Sequence, residues 1–260
     1  MRMPRAKQYP GKVVINKRMG NRKMHMIANY KEGKRIAGVY SDAFDIFISI
    51  LAKRIKKKQQ NVVIIEGPTG SGKSTLALQI CIALSKKLKT NFDLSKDYIY
   101  SMDDLWTKMQ DPNMCPINFI DEASLVVKSK RSQTKESIDI VNIFNTMRSL
   151  GLTTILCSPS IMQIDKGIRI IHTDYMIICS SEDSSPIKGY GRGIFELFKA
   201  THYKFSKNSE PYWQLQCAGV FGKLPDKIDS EYQPIKRMAQ TRLLKKMAER
   251  YNRDQGEASA

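Results

Sequence analysis

Two kinds of hydrophobic pattern alternate along the middle of the chain. Short apolar runs predict buried strands at residues 62–65, 98–100, 117–120, 153–157 and 175–179. Between them, apolar residues recur every three or four positions, as in Leu76, Ile80 and Leu84, or Ile140, Ile143 and Met147. That spacing places them on one face of a helix. Strands alternating with amphipathic helices predict an α/β fold with a mainly parallel sheet flanked by helices.

The pattern divides the chain into four parts. Residues 1–40 form a basic N-terminal arm, residues 41–59 an amphipathic basic helix, residues 60–205 the α/β core, and residues 206–260 a C-terminal extension. We expect the arm to be either flexible or an extended strap over the core, with a short strand near Val13. Strands at 194–199 and 213–220 are expected to pair at the edge of the core. The extension is predicted to contain a helix over 235–251, packed on the core or on a partner, and a disordered tail over 255–260.

The formal charge changes the picture of possible partners. Forty-three Lys and Arg residues stand against 25 Asp and Glu, which gives a net charge of +18. The first forty residues hold eleven of the basic residues and one acid, Glu32. A second basic cluster covers residues 53–58, and basic residues recur in the polar stretch 123–136. Such a surface attracts polyanions, so we expect nucleic acid as a partner.

Other residue types exclude several classes of site and location. The five cysteines are odd in number and widely spaced, which is typical of buried thiols in a reducing compartment. Three isolated histidines offer no spacing for a metal site. The N-terminus has no apolar stretch behind its basic residues, and no run is long enough to span a membrane. We therefore expect a cytoplasmic protein without an intrinsic membrane span.

One stretch carries specific chemistry. Residues 67–74 read Gly-Pro-Thr-Gly-Ser-Gly-Lys-Ser, which fits the phosphate-binding P-loop, or Walker A motif. It follows a predicted strand and precedes a predicted helix, as the motif requires. In such a loop the backbone wraps the phosphates, the lysine binds the β and γ phosphates, and the serine hydroxyl binds Mg²⁺. The residues predicted to bind ATP are Gly67, Thr69, Gly70, Ser71, Gly72, Lys73, Ser74 and Thr75.

A second motif completes the predicted site. The apolar run 117–120 ends in Asp121 and Glu122, the Walker B pattern. Asp121, together with Ser74, is predicted to hold Mg²⁺, and Glu122 to orient and deprotonate the attacking water. The extra strand and helix that fit between the two motifs resemble RecA-like ATPases rather than small kinases or GTPases.

The order of further residues resembles the FtsK–HerA superfamily of DNA-pumping ATPases. After the two Walker motifs come Arg148 with Gly151, Ser158 at a strand tip, and Asp165 with Arg169. The resemblance covers about residues 60–180. It is greatest for compact viral and plasmid members, the genome-packaging ATPases and the zonula occludens toxin-like proteins.

The resemblance implies roles for three more residues. In this superfamily an arginine of one subunit stabilises the γ-phosphate of its neighbour, and Arg148 lies at the matching place, with Arg169 in reserve. Many members carry a glutamine at the tip of the fourth strand as a γ-phosphate sensor. Here the tip reads Ser158-Pro159-Ser160, so Ser158 is the candidate substitute.

Together these observations predict an ATP-hydrolysing motor that moves DNA. The expected partners are double-stranded DNA, further copies of the chain in a homo-oligomeric ring, and a portal, capsid or pore protein. Three alternatives stay open: a helper ATPase in replication or transposition, a filamentous-phage assembly ATPase, and a nucleic-acid-binding protein with ATP as a structural ligand.

Overall fold

The apolar runs in the middle of the chain form the centre of one eight-stranded sheet. The protein is represented by a computed structural model that describes residues 7–9, 12–19, 22–29, 39–40, 44–127, 135–181, 193–201 and 211–258. The strands of this sheet are β4 (Val39–Tyr40), β5 (Asn61–Glu66), β6 (Tyr98–Ile99), β7 (Ile117–Ile120), β8 (Thr153–Ser158), β9 (Tyr175–Ser181), β10 (Gly193–Thr201) and β11 (Tyr212–Phe221). Their order across the sheet is β4-β11-β10-β9-β5-β8-β7-β6.

Helices cover both faces of this sheet. They are α1 (Phe44–Lys56), α2 (Lys73–Leu88), α3 (Leu94–Asp97), α4 (Met102–Met109), α5 (Ala123–Val126), α6 (Lys135–Ser149) and α7 (Asp226–Ala258). A 3-10 turn (Ile161–Gln163) and a π-helical turn (Ile168–His172) connect β8 to β9. No helix in the described part of the chain is both long and apolar enough to cross a bilayer.

The central five strands, from β9 to β6, run parallel. At the β9 edge, β10, β11 and β4 continue the sheet in antiparallel fashion. The predicted α/β fold with a mainly parallel sheet is confirmed. So is the separation of the two motif strands, because β8 lies between β5, which leads to the P-loop, and β7, which leads to Asp121.

Strand β5 shows why the apolar run is continuous. Val63 and Ile65 enter one core with α1 and α2, while Val62 and Ile64 enter a second core with α6. All four side chains are fully buried. A strand covered on both faces needs apolar residues at every position, which is what the sequence provides.

The basic N-terminal segment forms a separate antiparallel three-stranded sheet of β1 (Lys7–Tyr9), β2 (Lys12–Met19) and β3 (Arg22–Asn29). The short strand predicted near Val13 is confirmed as β2, whereas its pairing into a sheet was not predicted. Val14 pairs with Ile27 and Ile15 with Met26. Gly20-Asn21, a pair typical of two-residue hairpin loops, stands between β2 and β3 in the sequence.

The core sheet also extends further than predicted. The expected strand pair at its edge exists as β10 and β11, but the boundary drawn at residue 205 falls between two paired strands of one sheet. Helix α7 begins at Asp226 rather than at residue 235, and it continues to Ala258 instead of ending in a disordered tail. Residues 259–260, like residues 128–134 of the polar stretch after Glu122, lie outside the described residues.

Candidate functional site

The P-loop connects the end of β5 to the start of α2. Gly67 (φ +151°) has no room for a side chain, because a Cβ there would collide with the carbonyl oxygen of Cys179. Gly72 (φ +88°) occupies the N-cap position of α2 in the left-handed region. Both positions need glycine, and together they bring the backbone N–H groups of the first turn of α2 to the loop.

The other predicted nucleotide-binding residues line the same turn. Thr69 and Gly70 are exposed, whereas Ser71 and Thr75 are buried. The Ser71 hydroxyl finds no hydrogen-bond partner among the described residues. A buried hydroxyl without a partner is costly, so its position in the loop suits a ligand that offers acceptor oxygens, such as a phosphate.

The Lys73 side chain folds back onto the P-loop. Its Nζ donates to the carbonyl oxygens of Gly67 at 2.8 Å and of Pro68 at 2.9 Å. Both acceptors are neutral. A phosphate oxygen carries negative charge and is a stronger acceptor for the ammonium group than either carbonyl.

The structure brings Ser74 and Asp121 together across 47 residues of sequence. The Ser74 hydroxyl donates to Asp121 Oδ1 at 2.8 Å. Asp121 is only 1% exposed, at the end of β7. A hydroxyl oxygen and a carboxylate oxygen side by side are hard donors of the kind that Mg²⁺ prefers, so these residues fit the metal of an ATP site.

Glu122 follows directly and has an unusual backbone. It adopts φ +55° and ψ +55° in the left-handed region, at the N-cap of α5, and its side chain makes no cap hydrogen bond. A non-glycine residue in this region carries backbone strain, which commonly occurs at functional sites. Glu122 is half-buried and directly follows Asp121 in the chain.

Two residues of α7 that were not predicted also reach Asp121. Oδ2 of Asp121 accepts a hydrogen bond from the Tyr232 hydroxyl at 2.7 Å and from Lys236 Nζ at 3.0 Å. Lys236 Nζ also lies 3.5 Å from the Ser74 hydroxyl. Tyr232 and Lys236 are four residues apart and share one helix face, but nothing in the sequence connects that face to the Walker motifs.

The Tyr232 ring is fixed in the core. It packs edge-on against Tyr98, at 5.9 Å between ring centroids, and at a tilt against Phe119, at 6.4 Å. Burial, together with the negative charge of Asp121, raises the pKa of Tyr232 well above its ordinary value. The phenol therefore stays protonated and acts as a hydrogen-bond donor to the carboxylate.

Ser158, the predicted phosphate sensor, makes a local contact instead. It is fully buried at the end of β8, and its hydroxyl donates to the Ser160 carbonyl at 2.8 Å. Beside it in register stands Glu66, whose carboxylate accepts from the Ile161 N–H at 2.8 Å. These bonds stabilise the turn after β8. A sensor role for Ser158 stays a prediction.

Arg148 lies at the far edge of the sheet from its own P-loop. It is exposed near the end of α6, and Gln60 at the start of β5 donates to the Phe144 carbonyl on the same helix. The six residues of β5 separate this edge from the P-loop by about 20 Å at ~3.3 Å per residue. One side chain does not span that distance, so Arg148 cannot reach the phosphates of its own subunit.

Arg169, the reserve candidate, is less available. It is 7% exposed, and its guanidinium contacts the sulfur of Met162. The pKa of His172 is lowered mainly by its own burial and further by the positive charge of Arg148. Arg148 therefore lies near His172.

The basic cluster at the end of α1 divides into two groups. Arg54 binds Asp174 at 2.7 Å, and it also donates to the Gln60 carbonyl and the Asn61 side chain, so it has a structural role. The lysines of the cluster are exposed and remain candidates for contact with phosphates: Lys53, Lys56, Lys57 and Lys58.

Comparisons with known proteins agree with the site. A family model, Novel STAND NTPase 3, matches residues 47–158, which include both Walker motifs. No curated protein matches the chain. The matched stretch, the P-loop and the fold together identify a P-loop NTPase.

Solved structures with a similar fold are distant. The N-terminal domain of zonular occludens toxin from Neisseria meningitidis is 15% identical, with a TM-score of 0.39 over 65% of this chain and 97% of that one. The genome-packaging NTPase of Sulfolobus turreted icosahedral virus 2, in complex with sulfate, is 16% identical, with a TM-score of 0.42 over 65% of this chain and 100% of the other. Domain III of the Thermotoga maritima replication initiation protein DnaA is 17% identical, with a TM-score of 0.30 over 47% and 54% of the two chains.

Proposed function

We propose that the chain hydrolyses ATP to move double-stranded DNA, as a homo-oligomeric ring that packages or transfers a viral or plasmid genome. The observation that carries the proposal is the hydrogen bond between Ser74 and Asp121, which joins the Walker A and Walker B motifs into one site. The FtsK–HerA resemblance and the charge of +18 support DNA as the track.

Hydrolysis would use the residues of this site in distinct roles. The N–H groups at the start of α2 and the Lys73 ammonium bind the phosphates. Ser74 and Asp121 hold Mg²⁺, which supplies positive charge to the phosphate oxygens when bound. Glu122 accepts a proton from water as the water oxygen bonds to the γ-phosphorus and the bond to the β-γ bridging oxygen breaks.

A ring is supported by the position of Arg148. Its side chain is exposed and is remote from its own P-loop. Two exposed apolar residues lie in the same region: Leu150 (46%), two residues further along the chain, and Ile171 (57%), on the π-helical turn that contacts α6. Exposed apolar groups around an arginine are typical of a protein interface. In a head-to-tail ring this edge would meet the next subunit and place Arg148 at its γ-phosphate.

Replacing Lys73 by alanine is expected to weaken ATP binding on the order of a hundredfold or more, since a desolvated partner of the phosphate charge is lost. Equilibrium binding of a fluorescent ATP analogue measures the effect. Lys245→Ala, an exposed lysine on α7, is the matched control and should bind as the wild type does. Unchanged affinity in Lys73→Ala contradicts the P-loop assignment.

DNA binding is expected to weaken steeply with salt, because lysines and arginines displace counterions from the phosphates. Replacing Lys56 and Lys57 by glutamine should make the slope of log K against log salt shallower by ~0.9 for each lost contact. Fluorescence anisotropy with a duplex measures the slope. The matched control replaces the exposed pair Lys86 and Lys87, at the end of α2, by glutamine, and we expect it to keep the wild-type slope. A flat salt response in the wild type contradicts phosphate contacts altogether.

A further inference from the structure

Helix α7 follows the last strand of the sheet in the chain and reaches the predicted metal site through Tyr232 and Lys236. We propose that Lys236 competes with the divalent cation for Asp121 and Ser74, while Tyr232 orients the Asp121 carboxylate. The inference rests on the proposed ATP site, because it concerns the two residues that would hold the metal. Through Lys236, α7 would therefore regulate the affinity of the site for the metal.

Both carboxylate oxygens of Asp121 accept hydrogen bonds in this arrangement. Oδ1 accepts from the Ser74 hydroxyl, and Oδ2 accepts from both Tyr232 and Lys236. Lys236 forms an ion pair with Asp121 at 3.0 Å, with the two side chains 24% and 2% exposed. Its ammonium therefore contacts both predicted metal ligands, Asp121 at 3.0 Å and Ser74 at 3.5 Å.

A divalent cation and this ammonium group cannot share the site without cost. Two like charges a few ångströms apart repel, and the repulsion is stronger in a partly buried site than in bulk water. Metal held by Asp121 and Ser74 therefore requires the Lys236 ammonium to move away. Because the metal must displace Lys236, the free energy needed to break the ion pair between Lys236 and Asp121 reduces the net free energy of metal binding.

The two α7 residues differ in their freedom to move. Tyr232 is 3% exposed and packs between aromatic rings, so it anchors the helix. Lys236 has a long side chain that is partly exposed and passes over the Tyr232 ring, with Nζ 5.6 Å from its centroid. Further along α7, Met238 and Leu244 are mostly exposed, so these two side chains do not hold the helix against the core.

A surface cleft lies beside α7. A cleft of about 900 Å³ lies between α7 and helices α2 and α3, lined by Leu78, Phe92, Ile228 and Ile235 among others. Lys236 can leave Asp121 by a rotation of its partly exposed side chain, while the buried Tyr232 keeps its hydrogen bond.

The test measures metal affinity directly. Binding of Mn²⁺, a spectroscopic substitute for Mg²⁺, is titrated by electron paramagnetic resonance in the presence of saturating non-hydrolysable ATP analogue. Lys236→Met and Lys236→Gln should each bind Mn²⁺ about tenfold more tightly than the wild type, since the competing charge is gone. Lys236→Arg keeps the charge and should stay within about twofold of the wild type. The control, Lys245→Met, changes an exposed lysine of the same helix and should leave the affinity unchanged.

Tyr232→Phe separates positioning from competition. It removes the hydroxyl but keeps the ring, so α7 stays anchored while Asp121 loses one donor. We expect Mn²⁺ binding to weaken, because the carboxylate is no longer held in one orientation. Opposite effects of two changes on one helix are not produced by general loss of folding, which circular dichroism checks for each variant.

The outcomes distinguish this inference from the proposed function. Asp121→Asn should lose most Mn²⁺ binding; if it binds as the wild type does, the metal site itself is wrong and the proposed function fails with it. If Asp121→Asn loses the metal while Lys236→Met and Lys236→Gln keep wild-type affinity, the site stands and the competition is overturned. Weaker binding in both Lys236 variants also overturns it, because the lysine would then support the metal site.

Discussion

Replacing Glu122 by glutamine is expected to leave binding of ATP and Mg²⁺ intact and to reduce turnover on the order of a thousandfold. The amide has the same shape as the carboxylate but cannot accept a proton from the attacking water, and general bases contribute about 10²- to 10⁴-fold. The left-handed backbone of Glu122 supports this role, since a strained conformation aims the side chain at one place. Phosphate release under saturating ATP measures turnover.

The control for Glu122→Gln is the same substitution at a second glutamate, Glu66. Glu66 ends β5, directly before the P-loop, but its carboxylate binds the Ile161 N–H. Glu66→Gln keeps an acceptor for that bond, so we expect a small effect on turnover. If Glu122→Gln retains most of its activity, the general base lies elsewhere.

Replacing Arg148 by alanine is expected to preserve ATP binding and to reduce turnover about a thousandfold or more, the scale known for arginine fingers. The structure supports action on a neighbouring subunit, because Arg148 is exposed and the length of β5 separates it from its own P-loop. Lys166→Ala, which removes another exposed cation in the segment between β8 and β9, is the control and should remain active.

Mixed rings test whether Arg148 acts in trans. Subunits with Glu122→Gln keep Arg148, and subunits with Arg148→Ala keep Glu122. In a mixture, some intact Glu122 sites face intact Arg148 neighbours, so partial turnover should return. Mixtures that stay as inactive as either variant, under conditions where subunits exchange, contradict the trans role and leave Arg148 as a residue of the helix end.

The sequence predicted the parts of the site whose chemistry needs particular residues at particular spacings. Gly67 and Gly72 adopt backbone conformations that need glycine, Lys73 completes the P-loop motif, and Asp121 directly follows a buried strand, so each leaves a local signature. The continuous apolar run in β5 likewise follows from burial on both faces.

The contacts of α7 could not be predicted in the same way. Tyr232 lies 111 residues from Asp121, and only the folded arrangement brings the two together. Tyrosine and lysine on a helix usually face solvent or an interface, so their residue types carry no sign of a metal site. The N-terminal sheet was missed for a related reason, because its pairing depends on cross-strand partners such as Val14 and Ile27.

The alternative functions differ in what they require of ATP. A helper ATPase in replication or transposition would bind DNA and hydrolyse ATP without moving along the duplex. A filamentous-phage assembly ATPase would fractionate with membranes through a partner. A protein that keeps ATP as a structural ligand would bind DNA equally well with Glu122→Gln and would show no turnover to lose.

Displacement of a third strand from duplex DNA tests the central claim most directly, because only directional movement along the duplex strips the triplex. The wild type is expected to displace the strand with ATP and Mg²⁺, and to fail with a non-hydrolysable analogue. Glu122→Gln should bind the same DNA without displacing the strand. A wild-type protein that binds the duplex and hydrolyses ATP while the triplex remains intact would contradict the proposed motor.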